Sequence, residues 1–452
     1  MRKRDGDVLA ARRHGRNSLN ACITHAFTHG SAGAPWSDPG PPAFDELTIP
    51  ALHDHFRAMQ LSHRITGLLG GAEDDGWGVF MRARDMIAAG TPVIELTIGE
   101  HDIRTDPRIL DEMHRRAKAG HTGYASVPGT KALRDAVAAR VTARTGVPTT
   151  RDNVVVTPGG QAGLFAAHTA VLDPGDTGLF IDPYYTTYPG TVRGVGAKPR
   201  AIKARPRHGF QPQAADIAAQ ADGARSLLIN SPNNPTGVVY TPETMQSIAR
   251  TCADHDLWLV SDEVYDTQIW NGTHLSAWQL EETRNRTLVV NSMSKSFAMT
   301  GSRIGWILGP EHVIAHLIDL STHTTYGVPG YIQDAALFAL QAGEQLEADI
   351  AAPFRRRRAM AVELLAHTNA AKSAPCDGAM YLMLDIRATG LSGEGFANRL
   401  LDQERIAVMP GESFGEAAAG HVRVAMTVAD EMFAEALGRI IHFAEALTPR
   451  GP

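Results

Sequence analysis

Lys295 stands in the string NSMSKSFAMTGSRIGW (291–306), directly after an apolar run, among small hydroxyl residues and eight positions before Arg303. A lysine on an ordinary helix face is solvated and charged, and a charged amine is no nucleophile. Burial and cationic neighbours lower its pKa, and the neutral fraction can then attack an aldehyde carbon.

Other stretches carry groups suited to such a centre. In LWLVSDEVYD (257–266), Asp262 ends an apolar strand and Tyr265 follows three residues later. A carboxylate there either caps the next turn or supplies a fixed negative charge. NSPNNPTG (230–237) reads as a turn containing Asn234, whose amide can donate without titrating. In VVVTPGGQAGLFAAH (154–168) a strand runs through Gly159 and Gly160 into a helix beginning near Gln161, a place where backbone amides can gather an anion. DPYYTTYP (182–189) is an aromatic cluster, a feature that more often packs than binds. HVRVAMT (421–427) places Arg423 on a strand, for a bidentate carboxylate contact or a surface ion pair.

In order from Gly99 to Arg423, these stretches resemble the class I/II aminotransferases, pyridoxal-phosphate enzymes of fold type I related to aspartate aminotransferase. The family pattern S-x-S-K-x-x-x-M-T-G-x-R-x-G is met by Ser292, Ser294, Lys295, Met299, Thr300, Gly301, Arg303 and Gly305, with Ser302 where a Trp is common. The resemblance implies that Lys295 holds pyridoxal 5'-phosphate as an internal aldimine and then shuttles the proton between the substrate Cα and the cofactor C4'. It implies Arg303, Ser292, Gly160 and Gln161 at the phosphate, with Gly159 permitting close approach. Asp262 would keep the pyridine nitrogen protonated and preserve the ring as an electron sink. Tyr265 and Asn234 would meet the phenolic oxygen, and Tyr185 would stack on the ring, with Tyr188 the competing candidate.

For the substrate, the same resemblance places Asn234, Arg423 and Gly99 at the α-carboxylate. It places Tyr124, in HTGYASVPGTKALR (121–134), at the phosphate of a neighbouring subunit, which implies a homodimer. His101 replaces the usual Pro of the family's G-E-P-D turn, and PGESFG (410–415) resembles a P-G-x-x-F-G loop with a structural, lid-like role. The implied reaction is ping-pong transfer of an amino group from an L-amino acid to a 2-oxo acid. The same residues also suit a C–S β-lyase. Aminotransferase-like domains serve in addition as ligand sensors fused to DNA-binding domains, but the first 58 residues are too polar and Gly/Pro-rich to form such a partner.

Positioning these groups requires a layered α/β scaffold. Apolar runs at 92–96, 153–157, 178–181, 226–230, 257–261, 287–291 and 304–308 read as strands, most bounded by Gly, Pro, Asn or Asp. Lys131 to Arg144 and Pro242 to His255 show helical spacing. Beyond about 340 the pattern changes to long helices separated by YLMLDI (381–386) and VRVAMT (422–427). The resemblance and this pattern together give a large domain at 100–335, with a mainly parallel seven-stranded sheet, and a smaller α+β domain from 60–98 and 340–452. FRRRR (354–358) reads as a solvated helix face.

Composition agrees with small-molecule chemistry. The 452 residues carry a net charge of −6 with no basic cluster of the kind that binds nucleic acid. No apolar run approaches the ~20 residues that span a bilayer. The three cysteines have no C-x-x-C spacing, and HDH (53–55) lacks further ligands for a metal. A cytoplasmic protein without a metal is expected. Residues 1–58 read as a flexible extension, with Met59 as an alternative natural start.

Overall fold

The computed structural model describes residues 61–70 and 77–449, so the extension expected over 1–58 lies outside the described residues. His63–Thr66 forms one helical turn in a unit that ends at Thr66. The second unit, from Gly67 onward, holds every element below.

A short strand, β1 (Ile94–Glu95), precedes the main sheet. That sheet comprises β2 (Val154–Thr157), β3 (Thr177–Asp182), β4 (Lys198–Lys203), β5 (Ala224–Asn230), β6 (Trp258–Asp262), β7 (Thr287–Ser292) and β8 (Gly305–Leu308). Their spatial order is β2-β8-β7-β6-β5-β3-β4. Strands β3 to β7 are mutually parallel, and β8 runs antiparallel to both of its neighbours. The strands alternate between two cores, as a period of two demands. Val154, Val156, Leu227, Ile229 and Val289 enter one core, whereas Val155, Leu228, Val260, Leu288 and Val290 enter the other. Burial on both faces explains the near-continuous apolar runs.

Two strand expectations need correction. The run at 92–96 shrinks to β1, which pairs in parallel with β11 (Ile406–Ala407) outside the main sheet. The seventh strand is instead β4, whose sequence KPRAIK gave no apolar signal. It is an edge strand, and its exposed Lys198 and Lys203 suit an edge that must not pair further.

The C-terminal part contains β9 (Lys372–Ser373), β10 (Tyr381–Asp385), β12 (Met409–Pro410) and β13 (His421–Ala425), arranged β12-β13-β10-β9 and antiparallel throughout. Helices Glu344–Leu365 and Asp430–Leu447 pack with it around a third core that includes Phe354, Leu382, Val424 and Phe433. FRRRR is a solvated face only in part, with Arg355 and Arg356 exposed. Phe354 is fully buried and Arg357 only 3% exposed, because Arg357 donates to Asp102 at 2.9 and 2.7 Å and to Asp430 at 2.8 Å. A charge run read from sequence could not show that two carboxylates distant in sequence would meet its third arginine.

The topology sends the chemically interesting residues to one edge of the main sheet. Strands β2, β3, β5, β6 and β7 all end there, at Thr157, Asp182, Asn230, Asp262 and Ser292, while β8 starts there just after Arg303. The carboxyl edge of a parallel sheet is where such folds build binding sites.

Candidate active site

Lys295 lies on a single helical turn, Met293–Ser296, that leaves β7. Ser292 caps the turn, its hydroxyl accepting from the Ser294 amide at 3.1 Å. The lysine is partly buried, and its Nζ donates to the carbonyl of Gly99. Burial, followed by the charges of Arg423 and Arg303, lowers its pKa to about 8 against the opposing pull of Glu100. A neutral fraction of about a tenth at pH 7, rising to about half at pH 8, is therefore present, which nucleophilic attack requires.

Asp262 ends β6 and is 5% exposed. Its Oδ2 accepts from Tyr188 Oη at 2.7 Å and its Oδ1 from the Val264 amide at 3.3 Å. Burial raises its pKa to about 6 despite these donors. Among the described residues no cation pairs with it, so a buried carboxylate with about one negative charge is free to meet a protonated ring nitrogen. Tyr188, weighed in the sequence only as a competitor of Tyr185, has its own role in holding this carboxylate. Tyr185 lies edge-on to Tyr188, with ring centroids 5.9 Å apart.

Tyr265 places its Oη 2.8 Å from that of Tyr381, a β10 residue that no sequence motif marked. Tyr381 also explains Gly99: a Cβ there would sit 1.7 Å from the Tyr381 hydroxyl. The close Tyr381 hydroxyl is a reason for this glycine additional to the expected room beside a substrate carboxylate, and the Gly99 carbonyl is engaged by Lys295.

Arg423 is 3% exposed on β13. It donates Nη1 to Asn234 Oδ1 at 2.8 Å and Nη2 to the carbonyl of Thr97, two residues before Gly99. Its guanidinium carbon lies 4.6 Å from the Tyr381 ring centroid and 4.4 Å from that of Phe414. Burial lowers its pKa, Nε has no hydrogen-bond partner, and among the described residues no carboxylate pairs with it. A buried guanidinium without a counter-ion is costly unless an anion arrives. Phe414 belongs to PGESFG, so that loop, expected to be structural and lid-like, also lines this anion site. The Asn234 side-chain amide hydrogens remain available, because its Oδ1 accepts from the arginine while its backbone N–H donates to Asn230 Oδ1 at 2.8 Å.

A second anion cradle forms at the start of helix Gly159–Val171. The first-turn amides, those of Gly160 and Gln161 among them, have no intrahelical acceptor. Arg303, in the left-handed region at φ 49°, brings its guanidinium so close to Gly159 that a Cβ there would lie 2.5 Å from Nη2. Ser292 and Ser294 place their hydroxyl oxygens 2.9 Å apart, and a Cβ on Gly160 would fall 3.7 Å from that of Ser292. Ser294 was visible in the motif but assigned nothing. The Gln161 side chain is occupied elsewhere, with Thr191 at 3.0 Å and Thr187 at 3.0 Å, leaving its backbone N–H as the group on offer. Tyr124 stands apart, 92% exposed and edge-on to Tyr326 at 5.1 Å.

These groups suit pyridoxal phosphate: a lysine of lowered pKa, an uncompensated acid for the ring nitrogen, and a glycine-lined helix start with an arginine for the phosphate. The aminotransferase class I and II family model matches residues 91–440. The arginine–pyruvate transaminase AruH of Pseudomonas aeruginosa is 39% identical over 366 residues, covering 80% of this chain and 93% of that protein. The aspartate/prephenate aminotransferase of Thermus thermophilus is 34% identical over 362 residues, covering 79% and 92%. The structure of Thermus thermophilus aspartate aminotransferase with maleate superposes with a TM-score of 0.79 at 33% identity, covering 85% of this chain and all of that one. The chain therefore belongs to the class I and II aminotransferases, enzymes of fold type I that use pyridoxal phosphate.

Proposed function

We propose that Lys295 carries the cofactor and moves the proton at the substrate Cα while an L-amino acid donates its amino group to a 2-oxo acid. The observation that carries this reading is the pairing of two groups within one short segment. The amine of Lys295, its pKa lowered, meets the Gly99 carbonyl, and the guanidinium of Arg423, without a carboxylate partner among the described residues, meets that of Thr97. An α-carboxylate on Arg423 places the neighbouring Cα within reach of the lysine.

When bound, pyridoxal phosphate supplies a conjugated ring that takes up the electron pair released at Cα. Asp262 keeps the ring nitrogen protonated, and Tyr188 holds Asp262. Tyr265, braced by Tyr381, and the free amide hydrogens of Asn234 meet the phenolic oxygen, while Tyr185 covers the ring. Gly160 and Gln161 backbone amides, Ser292, Ser294 and Arg303 hold the phosphate. Arg423, Asn234 and the backbone at Gly99 orient the substrate carboxylate, with Tyr381 and Phe414 keeping water from the guanidinium. Lys295 would serve as general base and acid at the substrate Cα.

The protein acts as a homodimer in this reading, with the exposed Tyr124 reaching the neighbouring phosphate. The active site lies between a large domain at 100–335 and a small one from 60–98 and 340–452. A cytoplasmic location fits Cys252 and Cys376, both buried and unpaired. No helix among the described residues is long and apolar enough to cross a membrane.

An absorbance titration of the cofactor-loaded protein with single L-amino acids, arginine and aspartate first, tests the reading. Full conversion of the cofactor's visible absorbance by one or a few donors, reversed by pyruvate or another 2-oxo acid, supports it. Release of ammonia and pyruvate without an acceptor would mark a C–S β-lyase instead.

A further inference from the structure

We propose that His101 is a positioning residue that fixes the main chain of Lys295. His101 Nε2 lies 3.0 Å from the Lys295 carbonyl oxygen. A carbonyl only accepts, so the proton sits on Nε2 and Nδ1 is the bare nitrogen. That Nδ1 is buried without a partner, and the ring lies edge-on to Phe354 at 5.3 Å. Burial, aided by the lysine's charge, lowers the imidazole pKa to about 3. The ring therefore donates a neutral hydrogen bond across the working pH range and adds no charge beside the amine.

The rest of the 99–102 turn is anchored as well. Glu100 Oε1 accepts from the Thr300 hydroxyl at 3.1 Å, and Asp102 accepts from Arg357, which is itself tied to Asp430 at 2.8 Å. The turn consequently grips the lysine at both ends, its amine through Gly99 and its carbonyl through His101. When the amine leaves the Gly99 carbonyl to react, the His101 bond remains, and the side chain swings from a main chain that stays in place. A proline at position 101 would offer no side-chain donor.

The test compares His101→Leu with His101→Gln in the cofactor-loaded full chain, since the glutamine amide nitrogen can take the place of Nε2. The leucine variant is expected to lose about ten-fold in kcat with KM within about two-fold. It is also expected to shift, by at least about half a pH unit, the pH at which the cofactor's visible absorbance changes. His101→Gln restores both. His101→Asn, too short to reach the carbonyl, behaves like leucine and supplies the same contrast should the leucine variant fail to fold. Wild-type kcat and titration in the donor-less variants would overturn the proposal, as would equal impairment in the glutamine variant, which would assign the ring to packing on Phe354. The proposal rests on Lys295 being the cofactor lysine. Wild-type protein that takes up no cofactor would refute that reading, whereas a normal wild type with an unaltered leucine variant refutes only this one.

Discussion

Tyr188→Phe removes one oxygen and leaves the ring in place. The lost bond, 2.7 Å long and buried at both ends, is made to the carboxylate of Asp262. Hydrogen bonds to charged groups contribute about 1.5–3 kcal/mol, and each pH unit corresponds to about 1.4 kcal/mol. Asp262, already raised by burial to about 6, therefore rises by about one to two pH units in the variant. In the cofactor-free protein at pH 7 roughly nine-tenths of the wild-type carboxylate is ionised, against half or less in the variant. In the loaded enzyme the protonated ring nitrogen lowers the Asp262 pKa. The acid limb of kcat/KM, which reports groups of the free loaded enzyme, therefore lies below the Asp262 pKa of the cofactor-free protein, and the variant should move it alkaline by about one to two pH units. Activity should recover at high pH, where Asp262 is ionised again. A uniform loss at every pH, or an acid limb that does not move, would refute the claim that Tyr188 acts by keeping Asp262 charged.

Four further outcomes follow from the same geometry. Arg423→Ala removes the buried guanidinium that faces the substrate carboxylate, and should raise KM for the amino donor at least about 100-fold, a loss of about 3 kcal/mol, read in steady-state kinetics. Gly99→Ala forces a Cβ to within 1.7 Å of the Tyr381 hydroxyl; it should lower kcat more than cofactor binding, and Tyr381→Phe, by clearing the oxygen, should recover part of the loss. With a Lys295 pKa of about 8, pyridoxal-phosphate uptake by the cofactor-free protein should accelerate as pH rises through about 8 and level off above it, as stopped-flow absorbance can show. Asp262 binds its proton more tightly folded than unfolded, so the stability it contributes is present below about pH 4 and is lost as pH rises to about 6; Asp262→Asn should accordingly raise the thermal midpoint of the cofactor-free protein at pH 7, by up to about 3 kcal/mol of stability, while abolishing turnover.

What could be read from the sequence depended on whether a signal was local. The motif around Lys295 is contiguous, and the strand that feeds it is apolar on both faces, so chemistry and scaffold were both visible there. Arg423 was legible for the same reason, as a lone cation in the buried strand HVRVA. Tyr381 was not, because its contacts with Tyr265 and Gly99 join residues 116 apart and more in sequence. Tyr188 could be seen but not distinguished from Tyr185, since only the short helix Tyr188–Gly194 decides which ring turns toward Asp262. Edge strand β4 escaped because its exposed charges hide the alternation that marks a half-buried strand. Arg357 misled in the opposite direction, a buried ion-pair centre inside a run of like charges. A signal exists for His101, a histidine in an otherwise familiar turn, but its partner, the Lys295 carbonyl, lies 194 residues away.

Borohydride reduction of the cofactor-loaded protein, followed by peptide mapping in a mass spectrometer, tests the central claim most directly. Reduction locks the cofactor onto whichever amine holds it. The account predicts one pyridoxyl-phosphate adduct, on Lys295, and none after the protein has been converted fully by its amino donor. An adduct on another lysine, or no adduct on a protein that carries the cofactor's absorbance, would contradict it.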